Sequence, residues 1–444
     1  MTFTARNRGF AVLYSEVSRW DVKFFSARLA SKTPLVQLAP FVEERNEKVK
    51  LFNHPHQVFR IFGVSNTVGV FHAYDTKGSE INQPYKRVKP GDFFYNPYRV
   101  NVGSLGVVPP TLGDGFVSPA YVVFRVDENQ VVPSFLETIL TSPWYNGRLR
   151  ATTTGSVRQN LTFNLLGSLE IPLPPLHVQR EIVTYLEGFQ ISVRNATEQL
   201  DRVAKELDQH LKVIYNSSCR FDVIKSRYFA LTFKDLTAWD AKSGRAASFR
   251  LACPSFRPMG DFIEEATDLY CPADQPDKEW PLFGVNNKDG VFLNSYQKGL
   301  LFNASYKRIC KDWFFHNPTR CNVGSLGIVP EVPEDAITSP EYQVWRLKTG
   351  IKEPLIPGYV ACLIQTPFFL ELVQFNRVGA VKQRMYTENL MQVHIPYLPV
   401  AEQQRYAAAR DKALVAISIA KKSLTVARAE VEVMILGTKK VGSL

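Results

Sequence analysis

Cationic and amide side chains are the residues of this sequence whose chemistry stands out, because the same set occurs twice. Arginine and lysine grip phosphate oxygens and bind guanine O6 and N7, whereas asparagine and glutamine bind adenine N6 and N7. The repeated set comprises Lys86, Arg87, Arg99, Asn101, Arg158 and Gln159, with the counterparts Lys307, Arg308, Arg320, Asn322, Lys382 and Gln383. We take these twelve residues as candidate contacts to a nucleic acid.

Each candidate also has a plainer structural explanation. Asn101 and Asn322 lie near glycines that both copies share and could simply shape a turn, and the two arginines beside them could pair with carboxylates. The segment 155–159 and its counterpart 379–383 are the stronger candidates. A cation and an amide held together after a glycine turn suit phosphate binding better than core packing.

A catalytic site is not predicted. Residues 95–98, Tyr-Asn-Pro-Tyr, come near the Asn-Pro-Pro-Tyr with which amino-methyltransferases hold a flipped adenine. However, the second proline is missing, and the counterpart 316–319, His-Asn-Pro-Thr, lacks the aromatic residue. An Asn-Pro turn that opens a strand explains both segments. The sequence also contains no P-loop and no nucleophile elbow.

The elements that must position the candidates form an internal repeat. Residues 62–121 match residues 283–342 without a gap, and 30 of the 60 pairs are identical. A period of 221 positions is too long for a solenoid, whose repeats run about 20–50 residues. Each copy should therefore be a domain with its own core. Residues 72–84 and 293–305 agree at only three of 13 positions, so two different recognition surfaces could arise there.

Two long helices are predicted where the chain leaves each copy. An apolar segment with prolines precedes a run without proline in both places, and proline suits the first helical turn. The predicted helices span residues 176–216 and 400–437. Apolar residues recur in both at alternating steps of four and three, except for one doubled step of four in the second helix. That spacing is typical of a coiled-coil seam. The first seam comprises Ile182, Leu186, Phe189, Val193, Ala196, Leu200, Val203 and Leu207; the second comprises Tyr406, Ala409, Ala413, Ala416, Ala420, Leu424, Ala427, Val431 and Met434.

Mutual pairing explains these helices better than the alternative that each only covers its own domain. The fold class predicted is α+β, with similar globular domains at 1–175 and 217–399 separated by an antiparallel coiled coil, in a pseudo-two-fold molecule. A helix of about 35–40 residues extends roughly 55–60 Å, so the pair would serve as a spacer. Strands are expected at 58–71, 91–109 and 121–126, and short helices at 132–149 and 356–376.

Composition narrows the class of protein. The 444 residues carry a net charge of +11, which favours a polyanionic partner. The six cysteines all lie from residue 219 onward and have no counterparts in the first copy, so reduced thiols are expected. His54 and His56 stand without a matching ligand cluster. No apolar run reaches the length of a membrane span, and a cytoplasmic location is expected.

The order of these motifs, twice over, resembles that of specificity subunits of type I restriction-modification systems. The resemblance rests on the Asn-Pro-x-Arg-x-Asn-x-Gly blocks at 96–103 and 317–324, on residues 154–159, and on the passage from Ile-Pro-Leu-Pro-Pro at 171–175 into Gln-Arg-Glu-Ile at 179–182. The second copy departs at Ala380, which replaces Ser156.

This resemblance implies that each domain is a target recognition domain that reads one half of a bipartite, asymmetric DNA site. The helices would set the spacing of the half-sites and dock two modification subunits. Those subunits would bring S-adenosylmethionine, and restriction subunits would bring ATP and Mg²⁺, so this chain would bind no cofactor and catalyse nothing. A stand-alone DNA adenine methyltransferase and a coiled-coil assembly scaffold are the alternatives.

Overall fold

The computed structural model describes residues 31–66, 69–99, 103–152, 160–220, 222, 231–235, 241–377 and 383–438. The chain divides into two compact units. Unit 1 comprises Met1–Ser192 with Lys421–Leu444, and unit 2 comprises Val193–Ala420.

Unit 1 contains a five-stranded sheet, a four-stranded sheet and a two-stranded sheet. Its strands are β1 Leu35–Gln37, β2 Val42–Glu44, β3 Lys48–Val49, β4 Val58–Ser65, β5 Gly69–Lys77, β6 Tyr85–Val88, β7 Phe93–Tyr95, β8 Leu105–Val107, β9 Gly115–Val117, β10 Val122–Val126 and β11 Glu170–Pro172. The strand orders are β3-β6-β9-β4-β5, β2-β10-β7-β8 and β1-β11. Three short helices lie between β10 and β11: α1 Pro133–Leu140, α2 Pro143–Thr152 and α3 Phe163–Gly167.

Unit 2 repeats this arrangement strand for strand. After the long helix α4 Leu176–Ser218 and the helix α5 Ala241–Ala252, its strands are β12 Phe256–Pro258, β13 Ile263–Glu265, β14 Leu269–Tyr270, β15 Glu279–Asn286, β16 Gly290–Lys298, β17 Tyr306–Arg308, β18 Phe314–His316, β19 Leu326–Ile328, β20 Ile337–Thr338, β21 Gln343–Leu347 and β22 His394–Pro396. The orders are β14-β17-β20-β15-β16, β13-β21-β18-β19 and β12-β22. The helices are α6 Pro357–Leu363, α7 Pro367–Asn376, α8 Thr387–Met391 and α9 Val400–Ile435. The prediction of a duplicated α+β module is confirmed.

Both long helices begin where the prolines predict and end within two residues of the expected ends. Each predicted seam residue is buried or half-buried, whereas charged residues between them are mostly exposed. In unit 1, Tyr185 of α4 donates a hydrogen bond to Glu430 of α9. In unit 2, His210 of α4 lies 3.1 Å from the Tyr406 hydroxyl of α9. The earlier part of one helix therefore meets the later part of the other, which is antiparallel pairing.

The helices also belong to the cores of the units, so pairing and domain covering occur together. Ile182 and Leu186 of α4 pack with Val431 and Met434 of α9 in the core of unit 1. Leu207 and Leu211 pack in the core of unit 2, with Tyr406. Burial of such apolar side chains stabilises the fold by about 1.5–3 kcal/mol each.

A buried glutamine joins each long helix to the sheet-bearing part of its unit. In unit 1, Gln179 accepts the backbone N–H of Val132 at 2.8 Å and donates to the carbonyl oxygens of Gln130 and Pro174. In unit 2, Gln403 forms the same three bonds with Ile356, Pro354 and Leu398. Both amides are buried, at 1% and 0% exposure, so each replaces water as the partner of backbone groups.

The prediction of reduced thiols is wrong for one pair of cysteines. Cys219 follows α4, Cys253 follows α5, and the two form a disulfide with Cα atoms 4.3 Å apart. The backbone N–H of Arg220 donates to the carbonyl of Ala252, which lays the two helix ends side by side. The other four cysteines are free. Neither paired residue has a counterpart in unit 1, so only the tertiary structure shows their proximity.

Among the described residues, no single helix has the length and hydropathy to cross a membrane. The bent pair α6 and α7 meets these criteria only when the two helices are taken together. Both helices contribute buried side chains to the core of unit 2.

Candidate nucleic-acid interface

The shared Asn-Pro-x-Arg segment forms the same closed turn in both units. The backbone N–H of Asn96 donates to the carbonyl of Ser104 at 3.1 Å, and Asn317 does the same to Ser325 at 3.0 Å. The side-chain oxygen of each asparagine accepts the backbone N–H two residues on. Asparagine is favoured at such positions because it closes a local turn with its own side chain. The turn joins β7 to β8 and β18 to β19, so it follows a strand rather than only opening one.

The turns carry arginines at their outer ends. Arg99 and Arg320 are exposed, and within the described part of the chain neither guanidinium has an ion-pair partner. The alternative that they pair with carboxylates therefore finds no support in this part. Asn322 lies half-buried in the 3-10 turn Cys321–Val323. Its counterpart Asn101 lies outside the described residues.

A glycine in each turn lets a β-hairpin approach it closely. Gly103 and Gly324 have φ values of +81° and +87°, a region that favours glycine. A Cβ atom at Gly103 would lie 2.8 Å from Cβ of Asn66, and one at Gly324 would lie 3.3 Å from Cβ of Asn287. These asparagines stand at the tips of the β4–β5 and β15–β16 hairpins. The turn and the hairpin tip therefore pack together in each unit.

A residue two positions after the second candidate motif bonds to the turn in each unit. The backbone N–H of Leu161 donates to the carbonyl of Pro97 at 3.0 Å, and the N–H of Met385 donates to Pro318 at 2.8 Å. Gln383, two residues before Met385, is exposed. Arg158, Gln159 and Lys382 lie outside the described residues. The chain just after the second motif thus meets the turn in both units, although about 60 residues separate the two segments in the sequence.

A buried side chain at the end of each strand before the turn strengthens this junction. In unit 1 the Tyr95 hydroxyl donates to the carbonyl of Leu161 at 3.1 Å. In unit 2 the ring Nε2 of His316 lies 2.9 Å from the carbonyl of Met385. Burial raises the pKa of Tyr95 and lowers the pKa of His316 to about 4, so both side chains are neutral near pH 7. Each holds the residue two positions after the second motif against the strand before the turn.

Sequence reasoning missed Arg377, which acts only in unit 2. Its guanidinium donates to the carbonyl of Gln383 at 2.6 Å and to the carbonyl of Thr319 at 3.2 Å. Its Nη2 thus contacts both the turn and the last residue of the second motif, because this nitrogen carries two N–H donors. The aligned residue of unit 1 is Thr153, so the repeat offered no signal for this role.

Two predicted cations of unit 1 are engaged within their own domain. Lys86 is only 6% exposed and donates to the carbonyl of Tyr121 at 2.8 Å, and burial lowers its pKa. Arg87 lies 2.9 Å from Asp114 and 3.6 Å from Glu47. Both residues lie on β6, in the five-stranded sheet, and the structure does not bring them to the Arg99 turn. Their assignment as nucleic-acid contacts stays a prediction that this placement does not favour.

Their counterparts in unit 2 have similar surroundings. Lys307 is half-buried on β17, and burial lowers its pKa. The guanidinium of Arg308 lies 5.9 Å from the ring centre of Tyr270, a cation–π contact. The exposed members of the predicted set that the structure describes are therefore Arg99 in unit 1 and Arg320 and Gln383 in unit 2. Asn322 is half-buried.

No group of three or more histidine, cysteine or acidic side chains in the described ranges could hold a metal ion. The buried His316 is not placed to act as a general base, because both ring nitrogens are already hydrogen-bonded. Nε2 contacts the carbonyl oxygen of Met385, and Nδ1 accepts the indole N–H of Trp345. The exposed residues of the turn offer hydrogen bonds and positive charge, which serve binding.

Solved structures of restriction-modification proteins resemble the chain over most of its length. It is similar to HsdS specificity subunits. The HsdS subunit from Thermoanaerobacter tengcongensis is 17% identical, with 93% of this chain and 97% of that chain covered and a TM-score of 0.35. The S subunit of a type I restriction-modification system from M. genitalium is 12% identical, with 92% and 96% covered and a TM-score of 0.41. A chain from a structural study of type I complex assembly and conformational transition is 16% identical, with 92% and 97% covered and a TM-score of 0.33.

No protein-family model matches the chain, and no curated protein matches it.

Proposed function

We propose that this chain is the sequence-specific DNA-binding subunit of a type I restriction-modification complex. The observation that carries the proposal is the doubled turn. Each unit presents an exposed arginine, Arg99 or Arg320, on a turn that the same hydrogen bonds close. In each unit the turn also accepts the same backbone hydrogen bond from the residue two positions after a second cation-and-amide motif. Duplication of a binding frame suits a site with two halves, and phosphate contacts from such arginines would fix each unit on the duplex.

Sequence choice in each half would come from residues around the turn. The two units share the frame but differ in the residues beside it, so the two half-sites would differ in sequence. The net charge of +11 supports a polyanionic partner. Affinity should therefore fall steeply as salt rises, because each phosphate contact releases counterions.

The paired helices would separate the two readers and dock two modification subunits. Those subunits would supply S-adenosylmethionine and methyl transfer to adenine, and restriction subunits would supply ATP hydrolysis and cleavage with Mg²⁺. The chain itself would bind no cofactor. The near match to a methyltransferase motif at 95–98 lacks the second proline, and its counterpart at 316–319 lacks the aromatic residue, so we assign no methyl transfer to this chain.

The test is a selection of random duplex DNA by the full chain together with candidate modification subunits. We expect two short conserved half-sites separated by a spacer of fixed length. Selection of no sequence at all would favour the scaffold alternative. Incubation of the chain alone with labelled methyl donor and the selected DNA should give no transfer, and turnover in that experiment would favour a stand-alone methyltransferase.

A second measurement addresses the spacer. Removal of one heptad from α4 and the opposing heptad from α9 keeps both seams in register and shortens the pair by about 10 Å at 1.5 Å per residue. At roughly 10 base pairs per 34–36 Å, the selected spacer should shorten by about three base pairs. Both half-site sequences should stay the same. A change in the bases selected would contradict the proposed role of the helices.

A further inference from the structure

The strand at one edge of the five-stranded sheet is exposed in both units. β5 pairs only with β4, and β16 pairs only with β15, within the described part of the chain. Residues 72–75 of β5 are all exposed, and so are Leu293, Asn294 and Tyr296 of β16. A strand with a free edge and exposed side chains is open to a ligand unless it is covered.

The same β-bulge lies in the middle of both strands. Phe62 faces His72 and Ile61 faces Tyr74, which leaves Ala73 as the extra residue. In unit 2 the extra residue is Asn294, between Leu293 and Ser295. A bulge bends a strand and turns its side chains to a new direction. The backbone geometry is thus retained although no residue at positions 72–76 is identical to its counterpart at 293–297.

The side chains on these strands differ in the hydrogen bonds they can form. Unit 1 presents an imidazole, a phenol and a carboxylate, with His72 and Asp75 2.8 Å apart. Unit 2 presents a leucine, an amide and a phenol. In the DNA major groove, carboxylates accept from cytosine N4, amides pair with adenine, and apolar groups contact the thymine methyl. The two sets would therefore choose different bases.

Each strand begins beside the strand that follows the arginine turn. A Cβ atom at Gly106 of β8 would lie 3.3 Å from the backbone nitrogen of Val70, and one at Gly327 of β19 would lie 3.2 Å from that of Val291. Strands rise about 3.3 Å per residue, so Tyr296 lies about 17 Å along the strand from Val291. A groove about 12 Å wide could thus meet the strand while the duplex backbone meets the turn.

Resting on the proposed function, we infer that β5 and β16 are the base-reading elements of this chain. In unit 1 the readers are His72, Tyr74 and Asp75, and in unit 2 they are Leu293, Asn294 and Tyr296. The turns of Arg99 and Arg320 hold the duplex backbone beside them. A protein partner that docks once on each unit would meet similar surfaces, whereas two different half-sites require different ones. The divergence of this exposed strand, where none of the five aligned pairs at 72–76 and 293–297 is identical, therefore favours DNA as the ligand.

A graft between the units tests the inference. Residues 72–76 are replaced by the sequence of residues 293–297, without a change in length, and the full chain with its candidate modification subunits selects random duplexes again. We expect new bases in the half-site of unit 1, shared in part with the half-site of unit 2, and no change in the half-site of unit 2. Selection of the wild-type site by a folded graft would overturn the inference.

Point substitutions give a second test that does not depend on the graft folding. Tyr296→Ala removes an exposed side chain of β16, and Leu269→Ala removes one of equal exposure, 56%, on the opposite edge of the same sheet. We expect Tyr296→Ala to reduce the preference for the selected base about 10-fold at one or two base pairs, which is the effect of losing one base contact. Leu269→Ala should leave this preference unchanged. Equal results for the two variants would overturn the inference.

The experiments separate this inference from the proposed function. If the wild-type chain selects no bipartite site, the proposed function fails. If the wild-type chain selects one and both variants select the same bases, only the inference fails. If Tyr296→Ala weakens association with the modification subunits and leaves the bases unchanged, the strand binds protein and the inference also fails.

Discussion

The indole Nε1–H of Trp345 donates a hydrogen bond of 3.3 Å to Nδ1 of His316 in the buried core of unit 2. At the aligned positions of unit 1 stand Phe124 and Tyr95. Phenylalanine has no donor to satisfy, and tyrosine needs only the one acceptor that Leu161 provides. Tryptophan in unit 2 requires an acceptor, which histidine supplies while its other nitrogen bonds Met385. The two positions differ together because a buried donor needs a partner.

This pair predicts a pH dependence of stability. Burial lowers the pKa of His316 from 6.5 to about 4. Between these pH values the unfolded chain binds a proton at His316 and the folded chain does not. The resulting stability is fully present above about pH 6.5 and is lost as the pH falls toward about 4, with a total near 3 kcal/mol. Urea denaturation at about pH 7 and about pH 5 measures the difference.

The control for this prediction is the double variant His316→Tyr/Trp345→Phe, which copies unit 1. Its free energy of unfolding should depend less on pH, although His394, whose pKa burial also lowers, still contributes. The single variant Trp345→Phe leaves Nδ1 buried without a donor and should be less stable than the double variant. The same pH dependence in the wild type and the double variant would contradict the prediction.

Gln403 is predicted to be a main connection between α9 and the rest of unit 2. Gln403→Ala leaves one backbone N–H and two carbonyl oxygens buried without their side-chain partner, so the free energy of unfolding should fall by roughly 3 kcal/mol. Gln404→Ala, next to it and exposed, is the matched control and should change stability by less than about 0.5 kcal/mol. Chemical denaturation compares the free energies of unfolding of the two variants. Equal decreases would show that the hydrogen bonds of Gln403 do not stabilise the unit.

Arg377 is predicted to position Gln383 and Thr319 through Nη2 of its guanidinium, whose orientation is fixed by the bond from Nη1 to the side-chain oxygen of Gln374. Arg377→Lys keeps the charge but cannot bond both carbonyls in the same way, so binding to the half-site of unit 2 should fall about 10-fold and binding to the other half should stay the same. Amide hydrogen exchange should also quicken at Met385, independently of DNA. Lys352→Ala, which removes an exposed charge of the same unit, is the control. If Arg377→Lys binds the half-site of unit 2 as tightly as the wild type does, the positive charge alone accounts for the contribution of Arg377.

The disulfide predicts a thiol count. Alkylation of the unfolded, unreduced chain should modify four of its six cysteines, and prior reduction should expose all six. Reduction should lower the free energy of unfolding by about 3 kcal/mol, because the bond closes a loop of 34 residues in the unfolded chain. Cys219→Ser should remove this sensitivity, and Cys271→Ser, which changes an exposed free thiol, should not. Six modified cysteines in the unreduced chain would refute the pairing.

Much of the fold follows from patterns that are local in the sequence. The repeat, the prolines before Leu176 and Val400, and the apolar steps of four and three determined a duplicated module and two long paired helices, because periodicity and proline act through neighbouring residues. The sequence also determined the turn at Asn96 and Asn317, since asparagine closes such a turn with its own side chain.

The tertiary structure decided which of those residues are free to bind. Lys86 and Arg87 have the right chemistry, yet their side chains are occupied by Tyr121 and Asp114, which lie 35 and 27 residues away in the chain. The bulge in β5, the span of Arg377 between two motifs and the meeting of Cys219 with Cys253 likewise depend on contacts between distant segments. Sequence patterns report the types of side chains and their periodicity, but burial and partnership depend on which segments pack together in space.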